Sequence, residues 1–105
     1  MKIETGKKYN IYIGLTTQNF KVLDSDIVRN ITAENLYNIG INAFNTNISQ
    51  SAYKGVSENA LKVSFINTFG VKEKAIIKVL DILKKAFNQE CILIESIETI
   101  KYAFV

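Results

Sequence analysis

The stretch Val71 to Ser96, VKEKAIIKVLDILKKAFNQECILIES, constrains the fold more than any other part of the chain. Ala75, Ile76, Val79, Leu80, Leu83 and Phe87 recur at three- and four-residue steps, which sets them on one side of a helix. Lys72, Glu73, Lys74, Lys78, Asp81, Lys84 and Lys85 fill the other side, with lysines in the last turn, where the helix dipole favours cations. From Cys91 the pattern changes to a Cys-Ile-Leu-Ile run between Glu90 and Glu95, as expected of a strand covered on both faces or nearly so. A helix that must bury one stripe, joined to a strand that must be covered, implies a sheet with helices on one face.

The rest of the chain supplies the other elements. Tyr9, Ile11, Ile13 and Leu15 alternate with Asn10, Tyr12 and Gly14, the period of a strand with one buried face. Gly14 reads as a bulge or close backbone contact at the strand end, or as room for a ligand. Thr16 to Leu23 is a polar loop in which Phe20 and Val22 can extend a hairpin arm. Asp24 or Ser25 caps a helix carrying Ile27, Val28, Ile31, Leu36 and Ile39, with Thr32 as a point where a broken helix could restart and Gly40 as the stop. Phe44, Ile48 and Ala52 share one face of a mostly polar strand that suits a sheet edge. Lys54 to Asn59 reads as a turn, and Leu61, Val63 and Phe65 alternate again. Ile100, Tyr102 and Phe104 alternate too, so a further strand is expected at the C-terminus.

This order makes one α+β domain over residues 1–105: a ferredoxin-like βαββαβ sandwich with an additional C-terminal strand and an inner layer of Ile11, Ile13, Leu61, Val63 and Leu93. Right-handed crossovers put both helices on one face of the sheet. The other face then needs cover: the C-terminal strand, the Thr16 to Leu23 loop or, as the favoured expectation, a second copy in a homodimer that packs sheet on sheet or joins edge strands.

Composition narrows the chemistry. The chain is 48% hydrophobic and 22% charged, a globular balance, and its net charge of +3 comes from 13 basic and 10 acidic residues spread along it, without the basic stripe of a nucleic-acid binder. With no histidine, most hydrolase triads are excluded. Cys91, the single cysteine, has no histidine to activate it, begins an apolar strand and reads as a buried structural thiol; its being alone excludes an internal disulfide and fits a reducing compartment. No Cys/His set, no aspartate cluster and no glycine-rich loop before a helix is present, so no metal or cofactor is expected. Glu95 and Glu98 fall on opposite faces of a regular strand, which does not support paired-carboxylate chemistry. Tyr12 could stack a base from the sheet face, but the aromatic consensus of RNA-binding sheets is absent. The polar N-terminus and the lack of an apolar run near the ~20 residues of a membrane span point to the cytoplasm.

The most distinctive polar constellation is Tyr53-Lys54-Gly55 with Glu58-Asn59, followed by Phe87-Asn88-Gln89-Glu90-Cys91. It reads as a hairpin turn plus a helix exit, or as polar groups converging on a ligand pocket at one end of the sheet, in which case Tyr12, Tyr53, Lys54, Glu58, Asn59 and Gln89 are the ligand-binding candidates. Together with Ile11-Tyr12-Ile13-Gly14-Leu15, these segments resemble a family of small uncharacterised bacterial proteins with a ferredoxin-like fold. The shared pattern is a hydrophobic-aromatic-Gly-Leu first strand, an aromatic-basic pair before a turn, an acidic residue before the next strand, and an aromatic-X-Gln-Glu-small-hydrophobic junction. Lys54 stands where that family has arginine, and no secretion signal is present. The resemblance implies the fold and no activity.

The missing catalytic groups and the uncovered sheet face lead to the expectation of a non-enzymatic binding or regulatory module, dimeric, acting through a protein or a small ligand. A phage or mobile-element inhibitor of a bacterial defence or host enzyme is the alternative. A cofactor-free enzyme working through tyrosine, lysine or glutamate is a third, and requires Tyr53, Lys54 or Glu58 to face a deep cavity.

Overall fold

The computed structural model describes residues 2–53 and 55–105. Its elements run β1 (Glu4–Gly14), α1 (Ser25–Asn38), β2 (Asn45–Tyr53), β3 (Val56–Ile66), α2 (Glu73–Ala86) and β4 (Leu93–Tyr102). The strands form one antiparallel sheet in the order β2-β3-β1-β4, which is the ferredoxin-like arrangement. The core lies between this sheet and the two helices: Tyr9, Ile11 and Ile13 of β1 and Leu61, Val63 and Phe65 of β3 pack with Val28 and Leu36 of α1 and Ile76, Val79, Leu80 and Leu83 of α2. Register explains the layer, because Tyr9, Ile11 and Ile13 sit opposite Phe65, Val63 and Leu61, so every apolar residue of the alternation falls on the helix side.

Each helix begins and ends for local reasons. Asp24 caps α1, its carboxylate accepting from the backbone N–H of Asp26 (2.8 Å) and Ile27 (3.4 Å). The helix runs unbroken through Thr32, so no restart occurs there. It stops where Gly40 takes a left-handed φ of 95° and the Ile41 N–H turns back to the Leu36 carbonyl at 3.0 Å. α2 carries Glu73 in its first turn and Lys84 and Lys85 in its last, as the dipole favours.

The structure corrects four expectations. β4 is an edge strand rather than a covered one: Ile92 and Ile94 pack on the core, whereas Leu93 is 57% exposed on the face away from the helices and is not part of the inner layer. Cys91 is exposed and precedes the strand, so it is not a buried thiol. The additional C-terminal strand is the second half of β4, which continues to Tyr102 past a register shift opposite Gly6 and Lys8. The turn expected over residues 54–59 is confined to the link between Tyr53 and Val56, which pair directly; Gly55 has φ 77°, and Glu58 and Asn59 belong to β3.

Candidate functional site

Three segments meet where β1 ends. Gly14 closes the strand opposite Ala60, and Glu58, two residues before Ala60 on β3, lies on the same face. The third segment is the corner between α2 and β4, which brings in Gln89. A Cβ placed on Gly14 would lie 2.6 Å from Gln89 Oε1 and 3.0 Å from Glu58 Oε1. An amide oxygen and a carboxylate oxygen therefore converge over the one residue of β1 that leaves them space.

The corner is built to hold the Gln89 amide in one orientation. Gln89 is 8% exposed, and its Nε2 donates to the carbonyls of Thr16 and Phe87, each at 3.1 Å. Both donors are thus used on main chain, which leaves the oxygen turned toward Gly14. The loop after β1 is tied to the same corner. The Gln18 N–H donates to the Asn88 carbonyl and Gln18 Nε2 donates to Asn88 Oδ1, both at 3.0 Å, while Asn88 takes a left-handed φ of 49°. The hairpin arm expected in this loop is present in a short form, with a bridge between Thr16 and Val22.

The six residues singled out in the sequence divide as follows. Glu58 and Gln89 come together over Gly14. Tyr12 lies on the same face of β1, opposite Lys62, whose Nζ is 5.7 Å from the ring centre. Its hydroxyl bonds to Glu95, and this bond first, with burial second, holds the phenol above its usual pKa. Asn59 points to the other face, as a strand neighbour of Glu58 must. Its carbonyl accepts from the Leu15 N–H at 2.9 Å, and it lines a cavity of about 330 Å³ with Leu15, Thr16, Leu23, Ser25 and Ile48. Tyr53 ends β2 opposite Val56, and Lys54 lies outside the described residues. A second hollow, of about 450 Å³, lies at the far end of the sheet among Lys8, Phe44, Ser64, Phe69 and Phe104. Among the described residues, no group of acidic or cysteine side chains is arranged to hold a metal ion, and no helix is long and apolar enough to cross a membrane.

The carbonyls of Thr16 and Phe87 are the parts that sequence reading missed; Gly14 stood out in the sequence, as a bulge or close backbone contact or as room for a ligand. Gly14 makes neither a bulge nor a close backbone contact, since its nearest neighbours are side-chain oxygens. The one available signal was a glycine in a strand whose alternation is otherwise regular.

These features define a small α+β chain with a polar corner at the end of the first strand. No family model and no curated protein matches it. Solved structures do. A phage SAM lyase in the apo state aligns with a TM-score of 0.72 at 18% identity, over 95% of this chain and 90% of that one. A phage SAM lyase in complex with S-methyl-5'-thioadenosine aligns with a TM-score of 0.68 at 17% identity, over 94% and 90%. The likeness is one of fold along nearly the whole chain. It also corrects the functional expectation: enzymes are made from this fold at this size, so a small α+β chain is no argument for a non-enzymatic module, and the inhibitor alternative, which small size and composition only permitted, is not kept.

Proposed function

We propose that this chain is a lyase that cleaves S-adenosylmethionine (SAM) and releases S-methyl-5'-thioadenosine. The observation that carries the proposal is the convergence of the Glu58 carboxylate and the Gln89 amide oxygen over Gly14, in a fold that aligns along nearly its full length with phage SAM lyase. SAM is cationic at its sulfonium and at its ammonium, and a pair of oxygen acceptors suits either centre.

The chemistry asks little of the protein. Methylthioadenosine keeps the sulfur, its methyl group and the adenosyl part, so the bond that breaks joins sulfur to the γ carbon of the methionine part. The electron pair stays on sulfur and cancels its charge. The amino-acid fragment is completed when its own carboxylate closes on that carbon, a step that moves no proton and so suits a chain with no histidine. Glu58 and Gln89 hold the cation and fix the folded conformation from which closure occurs.

Cytoplasmic action belongs to the same proposal, since SAM is an intracellular metabolite. So does self-association, first expected as a homodimer: the sheet face that the helices leave open carries Leu93 and Ile97, 57% and 44% exposed. The deciding experiment is incubation of the purified chain with SAM and chromatography of the products. Methylthioadenosine should accumulate with time, and Glu58→Gln should lower its rate by about a hundredfold. Intact SAM after prolonged incubation at high enzyme concentration would remove the proposal.

A further inference from the structure

Gly14 is a glycine that its backbone does not require. It sits in regular antiparallel register opposite Ala60, and it is not among the glycines with a left-handed φ, which are Gly40, Gly55 and Gly70. What excludes a side chain is the chemistry above it. The nearest atoms to a Cβ there are Gln89 Oε1 at 2.6 Å, Glu58 Oε1 at 3.0 Å and the Glu58 carboxyl carbon at 3.5 Å, all at the far ends of flexible side chains. The atoms nearest an added methyl group are thus side-chain atoms, and these two residues would have to move.

We infer that Gly14 is a positioning residue, whose absent side chain is the space in which Gln89 and Glu58 are brought together as a pair of oxygen acceptors for a cationic group of the ligand. The inference rests on the reading of this corner as the SAM site. Gln89 cannot yield without cost, because its Nε2 is held by the Thr16 and Phe87 carbonyls. Turning its oxygen away from position 14 means giving up those bonds or leaving both carbonyls short of a donor. The backbone, in contrast, does not need glycine here, since its φ is not left-handed. Ligand binding should consequently lose more than stability does at this one position.

The test is Gly14→Ala, followed by thermal unfolding, by titration calorimetry with SAM and methylthioadenosine, and by NMR exchange of the Gln89 side-chain amide protons. The expected result is a thermal midpoint lowered by no more than about 10 °C, from the disturbed Gln89 hydrogen bonds, with affinity for SAM weaker by about tenfold or more. In the wild type the Gln89 amide protons should exchange more slowly than those of the exposed Gln50, and in the variant they should lose that protection. A lowered midpoint with unchanged affinity would assign Gly14 to the fold alone and overturn the inference. Unchanged affinity in a variant of wild-type stability would overturn it as well. If the wild type binds no SAM, the ligand reading fails separately, and the exchange comparison still decides: lost protection in the variant upholds the role of Gly14, and unchanged protection ends it.

Discussion

Thr32 faces the sheet from the middle of α1, 1% exposed, and its Oγ1 has no hydrogen-bond partner. A buried hydroxyl without a partner keeps the desolvation penalty and recovers none of it. Valine has the same branched shape without the hydroxyl. Thr32→Val should therefore stabilise the protein by about 1 kcal/mol, seen as a higher urea midpoint with an unchanged slope. The sequence hinted at a polar role for Thr32, a helix restart, because threonine often caps; that it points into the core was not legible without the helix phase. The same limit applies at the site. Glu58 and Gln89 could be singled out as polar groups in suggestive places, but Asn59 was grouped with Glu58 because a turn was read where a strand runs, and strand neighbours face opposite ways. The meeting of Glu58 with Gln89 depends on a glycine more than forty residues upstream of Glu58, which no local pattern reveals.

Three elements are joined near the start of β1. The Tyr9 hydroxyl donates to Glu73 Oε1 of α2 at 3.1 Å, and Lys7 Nζ lies 3.6 Å from Glu73 and 3.2 Å from Glu98 of β4. The ion pairs are partly solvated and contribute little singly, so the buried phenol is the informative member. Burial, and next the bond to Glu73, raises the Tyr9 pKa above 10.0, while the hydrogen bond to Glu98 raises that of Lys7 above 10.5. In each case the folded state keeps a proton that the unfolded chain releases first. The stabilisation is complete below the unfolded value and is lost as pH rises through the folded one. Stability should thus fall above about pH 10, and Tyr9→Phe should lower it by about 1 kcal/mol near neutrality while flattening that alkaline loss. Urea unfolding at the two pH values checks this; equal alkaline losses in both proteins would exclude the phenol as a contributor. At this scale β4 shows where periodicity misleads. Its apolar start resembles a doubly covered strand, yet β4 pairs only with β1, and Ile92 and Ile94 turn inward while Leu93 faces water. A short apolar run does not specify its number of neighbours.

For the whole molecule, the order of elements was readable because each piece signals its own kind: alternation for β1 and β3, a stripe for α2, a cap and a glycine stop for α1. The candidate site was not readable, because it draws on residues 14, 16, 58, 87 and 89, which only the closed sheet brings together. A ligand that binds such an assembled corner must stabilise the assembly, since the unfolded chain has no corner to offer. Methylthioadenosine at about a hundred times its dissociation constant should raise the thermal midpoint by on the order of 10 °C. A midpoint indifferent to the ligand at that concentration would count against binding there. Cys91 makes the same corner observable. It is the only thiol in the chain, it stands in water, and it follows Gln89 by two residues. A maleimide dye would label that position alone, and a change in its brightness as ligand is added would report occupancy in real time without a mutation anywhere in the molecule.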